Sequence, residues 1–311
     1  MTDTAINTPS AGRRNLNMVR PVRRRTAGGD TWRDLLRQPL FLLSALFLLT
    51  IFAIAAVPEP FAWIFGNGDP RACDLSLSAQ PAGPGHPFGF DIQGCDLWAN
   101  VIHGARPSIV IGLVVTLVST LIAVFLGSLA GYLGGIVDTI FGRVSDIFYG
   151  FPFIVGAIVL LTTINDRSVM TVALVLSVFS WPFMARLMRA SVLERKSAEY
   201  VLAAKALGAS KWRIMFRHIM PNSISPVIVM ATLGIGGTIA GEAGLTFLGV
   251  GLQAPTISWG LQLNTAQNYF INHPHLLLYP ALALSLTVLA FTLIGDAVRD
   301  AMDPKLREVN G

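Results

Sequence analysis

Charge is scarce in this 311-residue sequence: Asp, Glu, Lys and Arg make up 13% of it, about half the share of an ordinary globular chain. With 53% of the residues apolar and apolar runs long enough to cross a bilayer recurring along the chain, a water-soluble fold is nearly excluded. Cysteine is just as sparse. Cys73 and Cys95 are too few for a disulfide scaffold and lack zinc-ligand spacing, so one cystine or two free thiols remain open. No Gly-rich loop followed by Lys-Ser or Lys-Thr occurs, so the chain cannot hydrolyse ATP by itself. Acid, base and nucleophile clusters are missing from the spans, which argues against a membrane enzyme. His103, His218, His273 and His275 have no carboxylate or cysteine partners at metal-ligand spacing, so no metal site is expected.

What is abundant is apolar sequence in six runs. Residues 1–38 come first, a polar, basic arm with eight Arg and little to bury. The first run, at 40–57, holds 18 uncharged residues with no small-residue cleavage site directly after it. It therefore reads as an uncleaved membrane helix rather than a signal peptide. A polar, proline-rich loop over 58–106 follows, and 107–300 forms a core of five further spans. These lie near Ile109–Leu133, Ile147–Ile164, Val169–Ala185, Ile224–Val250 and Leu276–Gly295, and a tail covers 301–311. The fold class is an all-α membrane protein with six transmembrane helices.

Net charge is +5, and its distribution sets the orientation. With both termini in the cytoplasm, only Arg71, Arg106 and Arg167 of the 23 Lys and Arg fall outside, as the positive-inside bias requires. The basic excess is then topological, with no nucleic-acid partner, although the arm can meet anionic lipid headgroups. This orientation places Cys73 and Cys95 in the long loop on the oxidising side. A bridge there would stiffen a cap over the outer mouth, worth about 3 kcal/mol by the chain-entropy estimate. Two reduced thiols in a mobile loop are the alternative.

Between the fourth and fifth spans lies a charged stretch, expected to form a cytoplasmic helical hairpin over 190–221. Ser197 is the expected N-cap, with Glu199 in the first turn. Gly208 ends that helix in a left-handed conformation, Ser210 caps a second short helix, and Pro221 terminates it. Small residues Ala203, Ala204 and Ala206 would let another protein approach closely. This pattern suits docking rather than catalysis.

Glu199-Tyr-Val-Leu-Ala203-Ala204-Lys-Ala-Leu-Gly208, followed after twelve residues by Pro221, resembles the Glu-Ala-Ala loop of ATP-binding-cassette (ABC) importer permeases. Further motifs, in order, are similar to the second permease subunit (DppC/OppC type) of dipeptide and oligopeptide importers. They are His86-Pro87-Phe-Gly89-Phe-Asp91-Ile-Gln-Gly94-Cys95-Asp96, Gly104-Ala-Arg106, Arg217-His218-Ile-Met-Pro221-Asn222, Glu242-Ala-Gly-Leu-Thr-Phe247-Leu-Gly249 and Gly295-Asp296-Ala-Val-Arg299-Asp300-Ala-Met-Asp303-Pro304. Leu202 stands where the family often carries the first acid of Glu-Ala-Ala, Met220 where Leu is usual, and Cys95 where Arg is common.

The resemblance implies the type I importer fold and a bacterial inner-membrane location. It also implies pairing with a homologous second permease, two cytoplasmic ATPase subunits that hold ATP and Mg, and an external solute-binding protein. Glu199, Ala203, Ala204, Gly208 and Pro221 would form the ATPase-coupling contact. The cargo would be a dipeptide or oligopeptide; a nickel chelate or glutathione is the alternative. A passive channel or scaffold would have no need of the hairpin.

Within the spans, Glu242 is a carboxylate in an apolar, glycine-rich run, and such groups face a bundle interior or a watery cavity. It is either a pathway or gating residue, or a hydrogen-bonded structural acid at a helix break near Gly241 and Gly244. Gly127, Gly131 and Gly135, and Gly237 and Gly241, recur at four-residue spacing, which lets membrane helices pack closely. Whether they pack within this chain or on a partner stays open. Trp181-Pro182 and Phe151-Pro152-Phe153 are expected kinks.

Overall fold

The computed structural model describes Leu36, residues 38–164 and residues 166–302. The expectations for most of the basic arm and for the tail from 303 onward lie outside the described residues. The first apolar run opens on Pro39, whose fixed φ suits a first helical position, and forms α1 (Pro39–Ala56). Pro58 pushes Val57 out of the helical region, to φ −137° and ψ 82°, and then begins the short α2 (Pro58–Ala62).

The loop expected over 58–106 ends earlier than its predicted boundary. Asp96 accepts hydrogen bonds from the Trp98 and Ala99 amides and starts α3 (Leu97–Leu133) ten residues before the predicted boundary. Leu97, Val101, Ile102 and Ala105 are buried at helical spacing, so packing carries the helix through Pro107. Its 37 residues measure about 55 Å at 1.5 Å each, well beyond a hydrocarbon core of about 30 Å.

The expected third span, Ile147–Ile164, is broken rather than kinked. It consists of α4 (Gly135–Gly150) and α5 (Phe153–Thr163), which meet at 85°. Phe151 is extended, at φ −97° and ψ 126°, because it precedes Pro152, and that proline offers no amide to rejoin the ladder. Pro182, by contrast, stays inside the continuous α6 (Val169–Arg195).

Next come α7 (Glu199–Ala206) and α8 (Lys211–Arg213). A π-helical turn, Ile214–Ile219, leads from α8 into α9 (Met220–Ser223). The chain closes with α10 (Ser225–Phe247), α11 (Trp259–Ala266) and α12 (His275–Met302). Helices α1, α3, α6, α10 and α12 are each long and apolar enough to cross a membrane, and the count is six if the bent pair is one span. The described residues contain isolated β-bridges but no strand.

The long α3 is the axis of the bundle. A Cβ on Gly127 would sit 2.5 Å from the Ala185 carbonyl oxygen, and one on Gly131 would sit 2.9 Å from that of Arg189. Those two glycines therefore close the α3–α6 contact inside this chain. Gly135 has open space around it, as does Gly237, and Gly241 meets only Phe153 at 3.9 Å. On α10 the close approach belongs to Gly236, whose Cβ would lie 3.0 Å from the Val288 carbonyl of α12. One apolar cluster joins α1, α3, α10 and α12 through Leu48, Ile109, Ile239 and Phe291. A second joins α3, α5, α6 and α10 through Val115, Leu161, Leu176 and Leu245.

Candidate functional site

The hairpin after α6 is anchored before it is exposed. Val201 and Ala204 of α7 and Ile214, Met215 and Ile219 of the π-turn are buried with Met188 and Val192 of α6, each large side chain adding about 1.5–3 kcal/mol. Gly208 takes φ +79°. Around it the Gly208 amide donates to the Lys205 carbonyl at 3.0 Å and the Ala209 amide to the Ala204 carbonyl at 3.1 Å. This is the Schellman ending of a helix, and it turns the chain sharply into the second arm. Ser210 then caps that arm through the Arg213 amide at 3.3 Å.

Three expectations for this region need correction. Ser197 is not the N-cap: Ala198 occupies that position without a side-chain bond, and the Ser197 hydroxyl donates to the Glu194 carbonyl. Pro221 does not terminate the second arm. The π-turn shifts the ladder, so the Met220 amide reaches the Met215 carbonyl, and the helix runs on through Pro221, whose missing amide falls in the first turn of α9. Ala204 faces inward. Its side chain packs with Val201 and the π-turn, while Glu199, Ala203 and Gly208 are exposed.

Exposed apolar side chains complete the outer surface of the hairpin. Leu207 is 88% exposed and Trp212 55%, and Trp212 stacks on Phe216 with ring centroids 6.0 Å apart. Attention to small residues at the sequence level missed this aromatic pair, although the one-turn spacing of Trp212 and Phe216 was there to be read.

At the other end of α3, Cys73 and Cys95 are joined in a disulfide, beside a hydrogen bond from the Asp74 amide to the Gly94 carbonyl at 3.0 Å. The Asp91 carboxylate gathers the Gln93 and Cys95 amides at 2.8 and 2.9 Å. Burial pushes its pKa up, against the pull of those bonds. Fully buried Asp96, besides capping α3, lies 2.8 Å from Nδ1 of His86. Arg106 donates to the Ala55 and Ala56 carbonyls, at 2.9 and 2.6 Å, and so ties α3 to the end of α1. Between this loop and α11 lies a cavity of about 430 Å³ lined by Arg71, Asp91, Asn100, Gln262 and Thr265 among others.

Glu242 is fully buried in an unbroken α10, with no helix break at Gly241 or Gly244. Thr246 donates to its Oε1 at 2.7 Å and accepts from the Leu252 amide at 3.0 Å, tying the last turn of α10 to the loop that follows. Its Oε2 has no hydrogen-bond partner among the described residues. The described residues hold no group of three His, Cys, Asp or Glu able to bind a metal.

Residues 123–308, from the middle of α3 through the hairpin and beyond α12, match the family described as binding-protein-dependent transport system inner membrane component. The glutathione transport system permease protein GsiD of Pectobacterium atrosepticum is 36% identical over 292 residues, covering 94% of this chain and 96% of that protein. The protein of the same name from Shigella flexneri serotype 5b is 37% identical over 290 residues, covering 93% and 94%. A crystal structure of an amino acid ABC transporter with histidines covers 63% of this chain and 91% of its own, at 14% identity and a TM-score of 0.49. This all-helical, multi-pass chain is thus a non-catalytic transport subunit, and it belongs to the inner-membrane permease family of binding-protein-dependent ABC importers.

Proposed function

We propose that the chain forms half of the translocation pathway of an ATP-driven importer whose cargo is a small peptide of the glutathione type. The supporting observation is the identity of more than a third, over nearly the whole length, with permeases named for glutathione transport. Glutathione is the alternative cargo drawn from the sequence, and the relatives favour it over the first expectation of a dipeptide or oligopeptide. In this reading a homologous permease supplies the other half of the pathway, and two ATPase subunits carry ATP and Mg. An external binding protein delivers the peptide. Both termini and the hairpin lie on the cytoplasmic side, supported by the distribution of Lys and Arg that leaves only Arg71, Arg106 and Arg167 outside. The exposed Glu199, Ala203, Leu207, Gly208 and Trp212 then meet the ATPase.

Uptake assays in vesicles carrying the whole transporter test the cargo. Labelled glutathione should accumulate with ATP and be competed poorly by unmodified dipeptides. Accumulation of dipeptides with no uptake of glutathione would overturn the cargo while leaving the permease assignment intact.

A further inference from the structure

Helix α4 is attached in an unusual way. It begins at Gly135, which like its N-cap Gly134 has a positive φ, +55° and +67°, with open space where their Cβ atoms would be. It ends at the 85° break before α5. Flexible backbone at one end and a proline-enforced break at the other leave α4 a short rigid segment between two joints. Ile136, Ile140, Val144 and Ile147 are exposed along it.

Its inner side meets α6. Phe141 and Phe148 lie edge-on to Trp181 at centroid distances of 6.3 and 5.4 Å. Beyond these rings the contact is electrostatic. Arg189 grips both oxygens of Asp138, the Nη2 bond measuring 2.6 Å, and Arg186 donates to Asp146 at 2.6 Å. The Arg186 guanidinium also lies 4.1 Å from the centre of the Tyr149 ring. A cavity of about 330 Å³, lined by Asp138, Phe141, Gly142, Asp146, Arg186 and Arg189, separates the helices around these pairs.

Half-exposed ion pairs contribute little to fold stability, whereas a two-pronged Arg–carboxylate contact fixes orientation strictly. One two-pronged pair, Asp138–Arg189, and one single-bonded pair, Asp146–Arg186, on one short helix therefore serve geometry. They are also placed for transmission. Arg186 and Arg189 lie on the last turns of α6, which ends at Arg195 only three residues before α7 begins, so a tilt of the hairpin is passed to the helix that carries both guanidinium groups.

We propose that Asp138–Arg189 and Asp146–Arg186 form a clasp of positioning residues through which movement of the hairpin swings α4, and with it the broken third span. The inference rests on the hairpin being the ATPase contact. The clasp would make and break, or slide, as the transporter cycles, since its pairs are accessible to water and cheap to rearrange.

The test uses the complete transporter in liposomes. Asp138→Arg and Arg189→Asp are made singly and together, and uptake per ATP hydrolysed is measured only on complexes that retain their ATPases. Each single reversal should lower that ratio about tenfold, and the double swap should recover most of it, as coupled contact residues do. Unchanged coupling in the single variants, or no recovery in an assembled double variant, would overturn the clasp. Should a reversed charge block assembly, Asp138→Asn and Asp146→Asn are read with a nitroxide on Gly142→Cys, a position with open space around it. In the parent the label's mobility should differ between nucleotide-free and ATP-trapped states, and the Asn variants should lose that difference; a difference of the same size in them would equally refute the proposal. Failure of the hairpin reading looks different, because hairpin variants would then keep their ATPase and their uptake.

Discussion

Asp91, Asp96 and Glu242 are three buried or half-buried carboxylates that solve the same physical problem differently. Asp96 has helix amides and a histidine around it. Asp91 is held by two amides, yet burial still raises its pKa above the ordinary carboxylate value. Because the folded value lies above the unfolded one, ionised Asp91 costs stability at neutral pH, and that cost fades as pH falls through the folded value. Asp91→Asn keeps the accepting oxygen and removes the charge. Its melting temperature in detergent should exceed that of the parent at pH 7, with the gap shrinking toward pH 4; a gap that widens on acidification would contradict this. At Glu242 the hydroxyl of Thr246 matters more than the charge. Thr246→Val leaves the Leu252 amide and Oε1 of Glu242 unpaired, costing about 1–3 kcal/mol, whereas Glu242→Gln preserves an acceptor for Thr246 and should be nearly neutral. Thermal denaturation ranks the two, and uptake by assembled Glu242→Gln transporters separates a structural acid from a pathway residue: normal uptake supports the structural role.

At the scale of elements, the hairpin was the most legible part of the sequence, because its chemistry is local. Gly208 has to supply a positive φ and Ser210 an oxygen for a free amide, and both do so. Gly208→Val would force a β-branched residue into the left-handed region, costing at least about 1–2 kcal/mol. Limited proteolysis should then cut near 208 faster than in the parent, with ATPase association weakened; an unchanged digestion pattern would count against the hairpin's rigidity. Features set by packing were less legible. Pro152 breaks a span while Pro107 and Pro182 do not, and no local rule separates them: the latter two sit in helices held along their length by α3–α6 packing, whereas α4 and α5 both reach α6, at Phe179 through Phe148 and Phe153, from the two sides of the bend. The inward placement of Ala204 and the run of helix through Pro221 likewise follow from the buried Val201, Ile214, Met215 and Ile219.

For the whole molecule, the scarcity of charge is resolved into placement. Long apolar helices absorb the apolar runs, and the described Lys and Arg crowd toward the hairpin end, with Arg71, Arg106 and Arg167 the exceptions among the described residues. The two ends are built differently. A disulfide, a buried Asp96 and short hydrogen-bonded turns stiffen the loop end, while the hairpin end presents exposed apolar side chains on an anchored platform, a surface suited to a protein partner. The five long spans were readable from hydropathy alone, whereas the 85° bend within the expected third span was not. The clasp of α4 onto α6 was not, since Asp138 and Arg189 are 51 positions apart and only the fold brings them together.

The central claim is that the hairpin docks the ATPase, and pull-down of the assembled transporter tests it most directly. Leu207→Glu and Trp212→Glu place charge on exposed positions, the second giving up only a surface stacking contact with Phe216, so both variants should insert, pair with the second permease and keep a melting temperature close to the parent's. They should lose co-purifying ATPase and uptake together. Retention of the ATPase at the parent's level, with normal uptake, in both variants would contradict the account.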